Sequence, residues 1–241
     1  MSDFKGKVVA ITGAGSGQGR ALAQLLAKRG ALVSLCDVNE AGLEETIKSL
    51  ENSASHLSMP VDVSNSSSVD SWIAKTVEKF GRLDGGANWA GVIRVNPVVD
   101  ETDENWDFVM NVNAKGVFNC IRAQLRVMKD GASIVSAAST DGQIGWPTFS
   151  AYCASKHAVI GLSRSAAKEH VGIRVNCVAP GCTDTPMMKD DTVENSDEIR
   201  AQVQKRKANP LEIVRVAAFL LSDEASFVTG AVYNVDGGWN C

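Results

Sequence analysis

The chain has 241 residues, 44% hydrophobic and 22% charged, with a formal net charge of −4. That composition belongs to a folded globular protein and excludes disordered and fibrous classes, and the sign of the charge is wrong for a dedicated nucleic-acid binder. No apolar run approaches the about 18 residues that a membrane span needs, and a chain of this length can bury a full core without staples.

Residues 7–12 (KVVAIT) form an apolar run of buried-strand length. Residues 17–29 follow with Leu22, Leu25 and Leu26 at helical spacing, and Gly30 ends that helix. Further strands are expected at 31–36, 57–63, 86–89, 132–136, 174–178 and 231–235. Helices are expected between them at 40–50, 64–80, 104–128, 152–170 and 211–221, the second opening on serines and ending at Gly81. This alternation predicts right-handed βαβ crossovers and an α/β fold: one Rossmann-type, doubly wound parallel sheet with helices on both faces, spanning residues 1–241 as a single domain. Ligands of such sheets bind beyond the carboxyl ends of the strands. Residues 183–209 break the rhythm, being polar and long for a connection, and read either as a substrate lid or as a surface insertion.

Six cysteines (Cys36, Cys120, Cys153, Cys177, Cys182, Cys241) include no C-x-x-C pair, and His56, His157 and His170 do not cluster with carboxylates. The cysteines read as small hydrophobes of a reducing compartment, and no metal site is expected. Asp3 among the first charges and the short apolar run before the glycines do not make a secretory signal, so a cytoplasmic location is expected.

Residues 12–19 read T-G-A-G-S-G-Q-G, between a strand and a helix. Glycines there let the chain turn tightly and let a pyrophosphate approach backbone N–H groups at the helix N-terminus. Gly13, Ser16, Gly17, Gln18 and Gly19 are therefore candidate dinucleotide contacts. Asp37 follows at the end of the second strand, where a carboxylate accepts hydrogen bonds from ribose hydroxyls and repels a 2′-phosphate. Val38 stands where an NADP-preferring site would carry a basic residue, so NAD is favoured over NADP. Asp62 ends the third strand, either to meet the adenine or to make a turn.

Tyr152 and Lys156 stand four residues apart on one face of a helix. A tyrosine is a poor base near neutrality; a lysine ammonium beside it, with the positive nicotinamide of an oxidised cofactor, favours the phenolate.

With these motifs in place the sequence resembles the short-chain dehydrogenase/reductase family along essentially its whole length. The T-G-x-x-x-G-x-G element lies at residues 12–19, the acidic strand end at Asp37, and the D-V pair at Asp62 and Val63. The N-N-A-G element reads Asn88, Trp89, Ala90, Gly91, with tryptophan in place of the second asparagine. The serine of strand five maps to Ser139 and the helix asparagine to Asn113. The P-G element with its threonines is Pro180, Gly181, Thr183 and Thr185, and V-D-G-G falls at residues 235–238.

The resemblance implies that Tyr152 is the acid/base, Ser139 binds the reacting oxygen, Lys156 tunes Tyr152 and holds the nicotinamide ribose, and Asn113 positions a water leading from Lys156 to solvent. It further implies that Asn88 contacts the adenine-side ribose and that Thr183 and Thr185 orient the carboxamide. The expected activity is interconversion of a secondary alcohol and a ketone on a hydrophobic small molecule. Ile93, Arg94, residues 140–149 with Trp146, Met187, Met188 and Trp239 are candidate pocket residues, Trp146 and Trp239 alternatively being core or subunit contacts. Residues 85–91 (GGANWAG) are also similar to fungal members that act in secondary metabolism. A homotetramer or homodimer built on the long helices is implied, with no nucleic-acid or membrane partner. An NADP-preferring reductase and a non-redox relative (a pericyclase-like catalyst or a regulator) are the alternative readings.

Overall fold

The computed structural model describes residues 4–188 and 196–241. Its strands are β1 (Val8–Thr12), β2 (Leu32–Asp37), β3 (Leu57–Pro60), β4 (Gly85–Asn88), β5 (Ser133–Ala137), β6 (Arg174–Pro180) and β7 (Val232–Val235). They form one sheet in the order β3-β2-β1-β4-β5-β6-β7, every neighbouring pair parallel. The order reverses between β1 and β4, which opens a crevice at the carboxyl ends of those strands.

All five residues of β1 are buried, as expected of a central strand covered on both faces. Their side chains alternate between two cores. Val9 and Ile11 pack with Leu22 and Leu26 of α1 (Gly17–Lys28) and with Ile213 and Val214 of α8 (Pro210–Leu221). Val8 and Ala10 pack on the other face with Trp72 and Ile73 of α3 (Ser66–Phe80), Cys120 and Ile121 of α5 (Gly116–Leu125), and Val159 of α6 (Ser150–Glu169). Cys36, Cys120 and Cys177 are buried within this second core.

Helix starts follow capping chemistry. The Asn39 side chain accepts from Gly42 N at the head of α2 (Glu40–Lys48), and Asn65, rather than a serine, caps α3. Asn209 opens α8 with a capping box to Glu212. Gly81 closes α3 with φ +75°.

Three elements differ from expectation. The helix expected at 104–128 is instead α4 (Asp103–Met110), a wide π turn (Asn111–Lys115) and α5; Gly116 N donates to Asn111 O across the wide turn. The third strand stops at Pro60, and the chain turns at Asp62, whose Oδ1 accepts from Ser64 N at 2.9 Å. β6 runs to Pro180, two residues beyond the expected end, and so delivers Gly181 to the crevice.

The segment expected as a lid is clasped at its base, where Ala208 N donates to Cys182 O (2.8 Å) and Asp184 N to Ala208 O (2.9 Å). It contains a 3-10 turn (Pro186–Met188) and the short helix α7 (Asp197–Ala201), while residues 189–195 lie outside the described residues. No helix among the described residues is long and apolar enough to cross a membrane.

Candidate active site

The crevice is a cleft of about 570 Å³. Every cofactor or catalytic residue expected from the sequence lines it except Asn88 and Asn113.

Its floor is the glycine loop. Gly13 has φ +65°, and a Cβ there would stand 2.8 Å from the backbone of Trp89 and Ala90, so only glycine lets the loop lie against the end of β4. Thr12 Oγ1 fixes that approach by accepting from Trp89 N and Ala90 N, both at 2.9 Å. Ser16, at the N-cap of α1, makes no side-chain cap bond, and the first turn holds no acid. The side-chain caps at α2, α3 and α8 contrast with this open helix end, which fits a pyrophosphate.

Asp37 is built into the same loop. Its Oδ2 accepts from Gly15 N (2.9 Å) and its Oδ1 from Asn39 N (3.0 Å), leaving further lone pairs for ribose hydroxyls. Arg20, which the sequence reading overlooked, clamps the loop from behind. Its Nη2 donates to Gly15 O, Gly42 O and Glu45 Oε2, so this guanidinium is committed away from any 2′-phosphate. Val38 is exposed beside Asp37. Asp62 lines the cleft but spends one oxygen on its own turn.

The asparagine element behaves differently from expectation. Asn88 is buried, its side chain pairing with Gln124 and Ser136 between strands and helix, so it braces β4 from inside and does not reach the cleft. Trp89, the departure from the family pattern, instead lines the cleft and donates from Nε1 to Gln18 Oε1 at 3.0 Å.

Opposite the glycine loop, α6 presents Tyr152 and Lys156, and the end of β5 presents Ser139. Lys156 Nζ donates to Ala137 O at 2.8 Å and sits 5.5 Å from the Tyr152 ring centre. Burial lowers the Lys156 ammonium to about 8, with Cys177 and Asp141 acting in the opposite direction. The sequence suggested that Lys156 would acidify Tyr152. In this structure burial pushes the phenol well above its ordinary value, Asp141 adds to the rise, and a hydrogen bond with Ser139 opposes it. Desolvation of the phenolate is the largest cause of that rise.

Asn113 lies fully buried in the π turn. Its Oδ1 accepts from Val92 N (2.8 Å), and its Nδ2 donates to Val92 O (2.9 Å) and Ser155 Oγ (3.0 Å). A Cβ on Gly91 would stand 3.4 Å from Asn113 Oδ1 and 3.6 Å from Lys156 Nζ, so the three groups converge.

The far end of the cleft is apolar. Trp146 and Trp239 meet edge to face, centroids 4.9 Å apart, and line it with Ile93, Phe149, Met187 and Met188. Arg94 lies outside this lining, its guanidinium stacked over Phe108 at 4.6 Å. Two acids also line the cleft, Asp141 and Glu198. Burial and the Glu198 charge push the Asp141 carboxyl up to about 6, while Lys156, Ser139 and His157 pull it down. Only its position after Ser139 distinguishes Asp141 in the sequence.

Comparison with known proteins agrees with this arrangement. Residues 13–240 match the family described as Enoyl-(Acyl carrier protein) reductase. A short-chain dehydrogenase/reductase, aba4, of Botryotinia fuckeliana (strain B05.10) is 42% identical over 99% of this chain and 98% of its own. The crystal structure of levodione reductase superimposes with a TM-score of 0.90 at 37% identity, covering 97% of each chain. A short-chain dehydrogenase/reductase from Brucella melitensis gives a TM-score of 0.95 at 32% identity over 100% of this chain and 99% of its own. The chain belongs to the short-chain dehydrogenase/reductase family, whose members are NAD(P)-using oxidoreductases.

Proposed function

We propose that the protein is an NAD(H)-dependent oxidoreductase that interconverts a secondary alcohol and a ketone on a hydrophobic small molecule. The observation that carries this reading is the convergence of Tyr152, Ser139 and Lys156 in one cleft with the open N-terminus of α1 and with Asp37. NAD supplies the hydride acceptor or donor, and when oxidised a positive charge.

The residues divide the remaining work. As phenolate, Tyr152 takes the proton from the substrate alcohol during oxidation; as phenol, it gives a proton to the ketone oxygen during reduction. Ser139 donates to the same oxygen as charge develops there. Lys156, already fixed on Ala137 O, holds the nicotinamide ribose and offsets the cost of forming a phenolate in a buried site. Asn113 acts as a positioning residue, locking Val92 to α6 through Ser155; a water held next to it would carry the proton onward from Lys156. Gly13, Ser16, Gly17, Gln18 and Gly19 cradle the pyrophosphate. Asp37 and Val38 select NAD over NADP. Asp62, Val63, Ala90 and Gly91 shape the adenine side, and Pro180, Gly181, Thr183 and Thr185 face the carboxamide.

The edge-to-face tryptophans support a bulky apolar substrate, and the relative named levodione reductase acts on a small molecule. The exposed apolar residues Trp106, Phe108 and Phe118 on α4 and α5 support a homodimer or homotetramer joined there. Cytoplasmic residence remains part of the reading.

Steady-state turnover of a panel of hydrophobic secondary alcohols with NAD⁺, wild type against Tyr152→Phe, tests the assignment. Turnover confined to the wild type is expected, and equal turnover by both would overturn it.

A further inference from the structure

The V-D-G-G element at residues 235–238 follows directly on β7 and bends the chain end back to the cleft. Gly237 and Gly238 have φ +63° and +79°, left-handed values that side chains rarely adopt, and a Cβ on Gly238 would stand 2.9 Å from Val203 Cγ2. The buried Asp236 fastens the bend: its Oδ1 accepts from Gly238 N and its Oδ2 from Asn240 N, both at 3.0 Å. Gln204 N donates to Gly237 O at 2.9 Å, and Asn234, itself held by Gln143 at 2.7 Å, donates from Nδ2 to Asn240 O at 3.0 Å. Chain ends fray unless they are tied down. This one is tied on both sides of Trp239.

What the bend delivers is the Trp239 indole. It is half-buried, lines the cleft and meets Trp146 edge to face, centroids 4.9 Å apart and planes at 82°. Trp146 connects this pair to the chemistry. Phe149 N donates to Trp146 O at 3.3 Å, and the Phe149 ring lies edge to face 6.3 Å from that of Tyr152. An aromatic wall thus runs from the proton-transferring residue to the chain end. Met187 and Met188, also in the lining, have flexible side chains that adapt to a ligand; large rings on a fastened backbone form a boundary.

We propose that the V-D-G-G bend is a substrate-length gauge: it sets Trp239 against Trp146 as the end wall of the substrate pocket. The enzyme then takes a ketone or alcohol about one ring in size and rejects one extended on the side opposite the reacting carbon. Asp236 is a positioning residue that acts through Trp239. This deepens the oxidoreductase reading and rests on it.

Cyclohexanones substituted at carbon 4 form a rigid ruler, because the substituent projects away from the carbonyl. The test measures kcat/KM with NADH for cyclohexanone and its 4-ethyl, 4-tert-butyl and 4-phenyl derivatives, for the wild type, Trp239→Phe, Trp239→Ala and Asp236→Asn. In the wild type the 4-phenyl ketone should fall about tenfold or more below cyclohexanone, the discrimination that a misfitting group commands in a closed pocket. Trp239→Ala should raise the phenyl-to-parent ratio by about tenfold, and Trp239→Phe, which keeps a ring, by less. Asp236→Asn should raise it partway and add nothing in the Trp239→Ala background, which a general loosening of the fold would not reproduce. Effects on NADH binding or on Tyr152 act on every ketone and cancel in the ratio. Saturation-transfer NMR of the same ketones on the enzyme–NAD⁺ complex reads the size ranking without turnover. A ratio equal in wild type and Trp239→Ala by both readouts, a wild type that prefers the 4-phenyl ketone, or binding of no ketone to either enzyme would overturn the inference. Turnover equal in wild type and Tyr152→Phe would instead overturn the oxidoreductase reading.

Discussion

Replacing Asp37 with asparagine should weaken the discrimination between NADH and NADPH while leaving the glycine loop in place. The amide oxygen can still accept from Gly15 N, the bond that ties β2 to the loop at 2.9 Å, so the change removes charge more than structure. A phosphate about 4 Å from the carboxylate is disfavoured by about 4 kcal/mol per unit charge at an effective dielectric of about 20, and by about 1 kcal/mol in bulk water. Asp37 is half-buried, which places the penalty near 2 kcal/mol, or about thirtyfold in Kd. Arg20 does not offset it, because Gly15 O, Gly42 O and Glu45 occupy its Nη2. Fluorescence titration with NADH and NADPH at one ionic strength should show the wild type favouring NADH by about that factor and Asp37→Asn losing most of the difference. A repeat in higher salt should leave the wild-type ratio largely intact, since the interaction acts well inside the Debye length of about 10 Å at 0.1 M. Equal affinities in the wild type, or an unchanged ratio in the variant, would refute the argument.

Tyr152→Phe should lower kcat by about 10²–10⁴-fold with little change in NADH Kd; stopped-flow and binding measurements on one preparation check this. Asp141→Asn should stabilise the protein at neutral pH. The carboxyl is pushed from 3.8 to about 6 by burial and Glu198, so the folded state holds its proton more tightly than the unfolded one, and stability is lost as pH rises through that window. The loss is roughly 3 kcal/mol above pH 6, so Tm of the variant should exceed that of the wild type by several degrees at pH 7.5 and match it below about pH 4. A lower Tm at pH 7.5 would contradict the burial argument. Gly13→Ala should abolish NADH binding and lower Tm, because its Cβ would meet the Trp89–Ala90 backbone at 2.8 Å with φ already at +65°; isothermal titration and thermal melts detect both. Phe118→Glu should shift any oligomer to a smaller species in light scattering, since this ring is 42% exposed, with Arg122 stacked upon it.

The sheet and its helices were legible because buried parallel strands leave continuous apolar runs and helices leave 3.6-residue stripes. The glycine loop was legible too, because contacts such as that of Gly13 with β4 admit no side chain. Asn88 was misplaced because its type fits a ribose contact as well as an internal brace, and only the partners Gln124 and Ser136, remote in sequence, decide between them. The basicity of Tyr152 escaped the sequence for a related reason. Spacing brings Lys156 near, but the cost of burying the phenolate depends on everything packed around it. Arg20 and Asp141 carry no motif, and their importance arises from partners supplied by other elements.

The wide turn at Asn111–Lys115 also sets a rule for sequence variation in this chain. Its i→i+5 geometry absorbs a residue that a regular helix could not, and it aims Asn113 inward. Deleting one residue there would wind α5 back by about 100°. Val117, Cys120 and Ile121 would swing out of the core, and Phe118 would turn away from the surface it now faces. Substitutions along α5 are thus tolerable wherever volume is kept, whereas a change of length by even one residue at this point would scramble the phase of everything downstream.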